Sequence, residues 1–224
     1  SYGASVSTAG DINGDGYSDV VVGAPLVNNG SASEEGRAYV YLGSSGGVVS
    51  TPAWQQAPPS TLASASRLLA HYGGSASTAG DVNGDGYSDL IVGAEGPGQS
   101  YLYLGAAAGL SSSVAWTGSG GGTTGKGGHS VATAGDVNGD GYADVLVGAY
   151  AATNGHSYEG QAFVYLGRAL GLSHGEAEDV LHETFRALLA MESTPDEPAH
   201  YAVRAFRNRA LNHRRSLWRR VARE

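Results

Sequence analysis

The sequence contains no cysteine and no long apolar run, and only 15% of its residues are charged. Without cysteine, disulfide bonds and thiolate metal sites are excluded. No stretch of about 18 apolar residues is present, so we expect no membrane-spanning helix. We find no signal peptide, and because Ser1 already lies inside a repeated unit we expect a fragment or processed piece of a longer protein.

Glycine is abundant, with 36 residues, and the net charge of −8 is unevenly distributed. Residues 1–171 hold 4 Lys/Arg and 13 Asp/Glu, a balance of −9, whereas residues 172–224 hold 9 Arg and 8 Asp/Glu, a balance of +1. Eight of those nine arginines lie between Arg204 and Arg223 with no acid among them. The contrast indicates that two different kinds of sequence are joined near residue 171.

The first part consists of three copies of one unit. Residues 5–24 (SVSTAGDINGDGYSDVVVGA) recur at 75–94 and 130–149, and each copy is followed by a block such as GRAYVYLG at 36–43. An Ala-Trp pair closes the first two units, at 53–54 and 115–116. Short β-branched runs and two-residue alternation predict about four strands per unit. We therefore predict a mainly β fold, a partial β-propeller of three four-stranded blades at about residues 1–54, 72–116 and 127–171.

The loop D-x-N-G-D-G-Y-x-D in each unit has oxygen-bearing side chains at alternate positions, and a backbone carbonyl can fill the gap at the tyrosine. Such a hard, all-oxygen set with three carboxylates suits calcium better than zinc, copper or magnesium. An EF-hand is excluded because its twelfth position needs an acid, and here Val22, Val92 and Val147 stand there. We predict up to three calcium ions, held by Asp11, Asn13, Asp15, Tyr17 and Asp19; by Asp81, Asn83, Asp85, Tyr87 and Asp89; and by Asp136, Asn138, Asp140, Tyr142 and Asp144.

These units resemble FG-GAP repeats, the blades of integrin alpha-subunit propellers and of many bacterial surface proteins. In the first unit, Tyr2-Gly3 stands at the FG position of the motif and Gly23-Ala24-Pro25 at its GAP position. The resemblance implies a propeller used in adhesion or ligand binding. The third unit departs from it, with Gly127 in place of the aromatic residue. Since a ring typically takes about four to eight blades, three are too few to close one, and we expect self-association.

Residues 172–224 predict two helices, because Val180, Phe185 and Leu188 share one helical face and a Ser-Thr-Pro-Asp-Glu-Pro turn follows at 193–198. This segment resembles the second conserved region of extracytoplasmic-function bacterial sigma factors, on the strings AEDV at 177–180 and RNRALNHRR at 207–215. The resemblance implies polymerase docking by Asp179 and Glu183. It implies DNA contacts by Asn208, Asn212, Arg214 and Arg215.

Other signals carry less weight. Residues 120–126 spell G-x-x-x-x-G-K, but Gly127 and a strand motif follow, so we interpret them as an inter-blade loop. The histidines are isolated, so neither a metal cluster nor a catalytic triad is indicated. Glu34-Glu35 is interpreted as a solvated loop.

The predicted function is therefore non-enzymatic: calcium-dependent adhesion or binding of a protein or glycan. The alternative is weak contact with DNA or RNA polymerase through the C-terminal helices. The predicted propeller favours a secreted or cell-surface location, whereas a functional sigma-like tail favours the cytoplasm. A fragment, a natural fusion and an engineered chimera all fit such a joined sequence.

Overall fold

The computed structural model describes residues 1–28, 34–153 and 159–167 of the chain. They form three antiparallel sheets that follow one another along the chain. The first sheet contains β1 (Ser5–Gly10), β2 (Asp19–Ala24), β3 (Arg37–Tyr41) and β4 (Trp54–Gln56). After α1 (Ser64–Arg67), the second contains β5 (Tyr72–Gly80), β6 (Asp89–Ala94), β7 (Gln99–Tyr103) and β8 (Trp116–Ser119). After α2 (Gly122–Gly125), the third contains β9 (Gly127–Gly135), β10 (Asp144–Ala149) and β11 (Gln161–Tyr165).

The first two sheets are four-stranded meanders in which each strand pairs with the next, as the sequence predicts. The third has three strands within the described residues. Those residues end at Gly167, so the predicted fourth strand of this unit lies outside them. The C-terminal helical segment lies outside the described residues.

The sheets pack face to face, and the strand alternation decides which residues meet. Val21 and Val40 of the first sheet share a buried cluster with Leu90, Val92 and their neighbours in the second. Ile91 and Leu102, on the opposite face of the second sheet, share another cluster with residues of the third, among them Val145, Val147 and Tyr165. Because residues i and i+2 of a strand point to the same face of its sheet, β6 and β7 of the second sheet each contribute side chains to both clusters.

A buried ion pair stabilises the segment that connects the first sheet to the second. Glu35 is fully buried, and its Oε1 accepts a hydrogen bond from Arg67 Nε on α1. Glu34 in turn lies 3.2 Å from the His71 ring, measured from Oε2 to Nε2. The interpretation of this pair as a solvated loop is therefore wrong for Glu35, because folding brings a cation from 32 residues away onto it. The Glu34 side chain is 44% exposed.

Residues 120–126 connect β8 to β9 and include the short helix α2, and Lys126 Nζ lies 3.5 Å from Glu95 Oε1. Lys126 itself has a left-handed backbone, with φ of 58°, which turns the chain into β9. Within the described part of the chain, no helix is long and apolar enough to cross a membrane.

Candidate metal centre

The three predicted loops connect the first two strands of each sheet, β1 to β2, β5 to β6 and β9 to β10. Their short turns are possible because glycines with positive φ stand at two positions of each loop, Gly14 at 74° and Gly16 at 88° in the first. Because equivalent strands pack side by side, all three loops lie at the same end of the stacked sheets.

The first aspartate of each loop organises the turn by accepting backbone amide hydrogens. Asp11 Oδ1 accepts from Gly14 N at 2.7 Å and from Asp15 N at 3.1 Å, and Asp11 Oδ2 accepts from Gly16 N at 2.8 Å. Asp81 and Asp136 accept the same three hydrogen bonds in their own loops. The carboxylate thus caps the turn and is held at its centre.

The asparagine and the second aspartate pair with each other. Asn13 Nδ2 donates to Asp15 Oδ2 at 3.0 Å, and Asp15 N donates back to Asn13 Oδ1 at 3.1 Å. Asp15 Oδ1 also accepts from Tyr17 N at 2.9 Å. The other two loops repeat these bonds through Asn83, Asp85 and Tyr87, and through Asn138, Asp140 and Tyr142.

The last aspartate of each loop is fully buried at the start of the second strand. Asp19 Oδ2 accepts from Ile12 N at 2.9 Å and Oδ1 from Gly43 N at 2.8 Å, so this side chain ties the loop to the end of β3. Asp89 and Asp144 make the equivalent bonds. The sequence predicts these residues only as ligands, and this second, structural role was missed.

Burial raises the pKa of all three buried aspartates above the ordinary value, to about 6 for Asp89 and Asp144. The two backbone donors oppose the shift, whereas the charges of Asp81 and Asp85 add to it at Asp89. The first, fifth and ninth positions of a loop therefore act on each other electrostatically. Among the described residues, no ion pair involves any of these nine loop aspartates.

The side chains are nevertheless not arranged as a finished coordination shell. Within the described ranges, no three acidic or histidine side chains are gathered closely enough to hold a metal ion. The loop oxygens are instead satisfied by backbone and asparagine amides. Since an ionised carboxylate has about four lone-pair sites, these bonds leave acceptor capacity for an ion.

Neighbouring loops also contact one another, which the sequence did not predict. Ser88 N donates to Asp11 O at 2.9 Å, and Asp11 N donates to Ser88 Oγ at 3.2 Å. The Tyr87 ring lies over Gly14, where a β-carbon would come within 2.7 Å of it. Tyr142 covers Gly84 in the same way, also at 2.7 Å. The tyrosine at the seventh position of a loop therefore packs on the aspartate loop of the preceding sheet.

The residues predicted from the sigma-factor resemblance lie outside the described residues: Asp179, Glu183, Asn208, Asn212, Arg214 and Arg215. Their roles stay predictions from the sequence.

Comparison with known proteins defines the class to which this stack of repeated sheets belongs. The FG-GAP repeat family matches residues 2–41, and the FG-GAP-like repeat family matches residues 81–147. The chain therefore contains FG-GAP repeats, as the motif resemblance implied. Neither match extends into residues 172–224.

Individual relatives are integrin alpha subunits. Integrin alpha-IIb of Mus musculus is 36% identical over 174 residues, which cover 73% of this chain and 16% of that protein. Integrin alpha-4 of Xenopus laevis is 33% identical over 157 residues, covering 66% of this chain and 14% of that protein. The chain thus spans 16% or less of the length of these two relatives.

The raised pKa values predict that pH acts in opposite directions with and without a bound cation. A carboxyl with a raised pKa in the folded state binds its proton more tightly there than in the unfolded chain. In calcium-depleted buffer, Asp89 and Asp144 should therefore stabilise the fold as pH falls through about 6. With calcium present, protons compete with the ion, so its stabilising effect should shrink over the same range.

The measurement is the difference in Tm between calcium-loaded and calcium-depleted protein at pH values from 7 down to 5. Titrations elsewhere, such as that of Glu95, whose pKa His129 and Lys126 lower against the opposing effect of burial, occur in both samples and cancel in the difference. A calcium effect on Tm that stays constant or grows on acidification would contradict this expectation.

Proposed function

We propose that residues 1–167 form a calcium-binding FG-GAP module that binds a protein or glycan ligand in adhesion and carries out no catalysis. The observation that supports it most is the threefold recurrence of one carboxylate loop at a single end of the stacked sheets. Each loop brings three aspartates into electrostatic contact, with no cationic side chain paired to them in the described residues.

The donor chemistry of the loops fits calcium. Carboxylate, amide and carbonyl oxygens are its usual ligands, and the flexible geometry of calcium sites tolerates neighbouring hydrogen bonds to the same carboxylates. In the first loop Asp11, Asn13, Asp15 and Asp19 would hold the ion with the carbonyl of Tyr17. A bound cation would neutralise the mutual repulsion that contributes to the raised pKa of the buried aspartate.

Adhesion is proposed because the similar proteins are integrin alpha subunits and the matched region is the repeat itself. An extracellular setting agrees with this role, since millimolar calcium there suits sites with dissociation constants of about 10⁻⁴ to 10⁻³ M. The loops that join the sheets, at residues 57–71 and 120–126, lie at the end opposite the aspartate loops.

Replacing Asp85 with alanine tests the assignment of individual loops. The variant loses the carboxylate that pairs with Asn83 and holds the Tyr87 amide, so the second site should lose its ion. Isothermal titration with calcium should show three ions bound to the wild-type chain and two to Asp85→Ala.

A matched control is Glu34→Ala, which also removes one negative charge but lies outside the aspartate loops, where its carboxylate contacts the His71 ring. It should still bind three ions. Retention of three ions by Asp85→Ala would show that its loop is not a site, and loss of all three would show that the blades bind as one unit.

A further inference from the structure

Each aspartate loop contains an Asn-Gly pair at its third and fourth positions. The pairs are Asn13-Gly14, Asn83-Gly84 and Asn138-Gly139. The backbone nitrogen of the residue after an asparagine can attack the carbon of the side-chain amide, and a β-carbon on that residue hinders the approach. Because glycine has no β-carbon, the attacking nitrogen is unhindered in all three pairs. The asparagine of each loop is therefore the residue most open to chemical change.

The fold of the loop brings the reacting groups of the second pair together. Asn83 Oδ1 accepts a hydrogen bond from Asp85 N at 3.1 Å, and this contact two residues along the chain curls the side chain back over the Gly84 amide. Asn83 Nδ2 donates to Asp85 Oδ2 at 2.8 Å. Since a carboxylate only accepts and a backbone N–H only donates, the two bonds fix the orientation of the asparagine amide. The side chain is thus held in the folded-back conformation from which a ring with the backbone can close.

Two hydrogen bonds of the loop also favour the attack itself. Asp85 N donates to the amide oxygen on which negative charge develops when the carbon becomes tetrahedral, as the donors of an oxyanion hole do. The Gly84 N–H, whose bond has to break, donates to Asp81 Oδ1 at 2.6 Å and is polarised by that carboxylate. Asn83 is exposed, so water can reach the cyclic product. The other two loops have the same bonds around Asn13 and Asn138.

We propose that the loop asparagines are sites of spontaneous deamidation and that a bound cation suppresses the reaction; the second part rests on the calcium binding proposed above. The glycine nitrogen forms a bond to the side-chain carbon of asparagine, and the bond from that carbon to Nδ2 breaks. Ammonia leaves with the hydrogen that the glycine nitrogen loses, and a cyclic succinimide remains. Water then opens the ring at either of its carbonyl carbons, which gives aspartate or isoaspartate. The reaction consumes only water.

Either product disrupts the loop in which it forms. Loss of the amide removes the donor to Asp85 Oδ2 and places a further carboxylate against it. Isoaspartate also adds a methylene group to the backbone, which changes the spacing on which the three amide hydrogen bonds to Asp81 depend. Ring closure requires torsion angles of Asn83 to change, and an ion bound to the asparagine oxygen and its neighbours opposes that change. A loop without its ion would therefore lose its binding geometry irreversibly, whereas an occupied loop would keep it.

The test follows deamidation of the full chain by peptide mass spectrometry, with enzymatic methylation of isoaspartate to identify that product. The chain is incubated at neutral pH with calcium or with a chelator, below the unfolding temperature of the chelated protein. At about 1 mM calcium and a dissociation constant of about 10⁻⁴ M, about one loop in ten is free of ion, so calcium should slow the reaction in the loops about tenfold. The pairs Asn29-Gly30 and Asn154-Gly155 lie outside the loops and are internal controls, whose rates calcium should leave unchanged.

A synthetic peptide with the sequence of residues 79–90 (AGDVNGDGYSDL) gives the reference rate without the fold. In chelator, Asn83 of the folded chain should deamidate at least as fast as in the peptide, and a much slower reaction in the chain would overturn the proposal that the loop promotes it. Equal rates with calcium and with chelator would overturn the protection. Calcium titration of the same preparation then separates two causes: no bound ion would refute the proposed function, whereas bound ions would refute only the protection.

Discussion

Transfer of the protein from about 1 mM calcium to a chelator is expected to lower Tm by roughly 8–16 °C. A site with a dissociation constant of about 10⁻⁴ M contributes about 1.4 kcal/mol at that calcium concentration. Three such sites contribute roughly 4 kcal/mol, and in a domain of about 150–250 residues each 1 kcal/mol shifts Tm by about 2–4 °C. This contribution of the bound ions is a large share of the typical free energy of unfolding, which is about 5–15 kcal/mol.

Thermal unfolding followed by circular dichroism at neutral pH measures this difference. The physical cause is the repulsion that the first two aspartates of each loop exert on the buried third aspartate, which a cation offsets. Magnesium at the same concentration is the control ion and should restore less of the stability, because it keeps several of its waters. An unchanged midpoint after chelation would show that the hydrogen bonds within the loops are sufficient by themselves.

Substitution of Tyr72 by alanine is expected to destabilise the fold by about 3–5 kcal/mol, as for other large buried aromatic residues. Tyr72 is fully buried between the first two sheets, and its hydroxyl donates to that of Tyr103 at 2.8 Å. Its ring also packs against Tyr101, with 5.8 Å between the ring centroids. Loss of the Tyr72 ring would therefore open a cavity between the first and second sheets.

Two controls separate the cavity from other effects in a denaturant titration. Tyr72→Phe removes only the hydroxyl and should cost about 1 kcal/mol. Val48→Ala, at an exposed loop position, should change stability by less than about 0.5 kcal/mol. If Tyr72→Ala cost no more than Tyr72→Phe, the packing of the first two sheets would not contribute as the structure indicates.

Local patterns predicted the strands and the loops. The alternation around Val40 and the β-branched run at Val20 to Val22 appear as paired strands, and the aspartate loops close as tight turns at the predicted residues. These features depend on residues within a few positions of each other. The same short-range signals recur three times in the sequence, which is why they identified the repeat.

Contacts between distant residues could not be predicted in this way. Nothing near Glu35 indicates that Arg67 will bury it, and nothing near Asp19 indicates that Gly43 will donate to it. The tyrosine that covers the glycine of the preceding loop is likewise a result of sheet stacking. A comparison of equivalent positions across the three units would have found the last of these, because the tyrosine recurs in every loop.

The most direct test of the central claim is the number of calcium ions bound by the purified chain, measured by equilibrium dialysis at neutral pH with magnesium in excess. Three loops with the same oxygen-bearing residues, three aspartates in each, predict three ions per chain that magnesium does not displace. Binding of no calcium, or complete displacement of calcium by magnesium, would contradict the assignment of these loops as calcium sites.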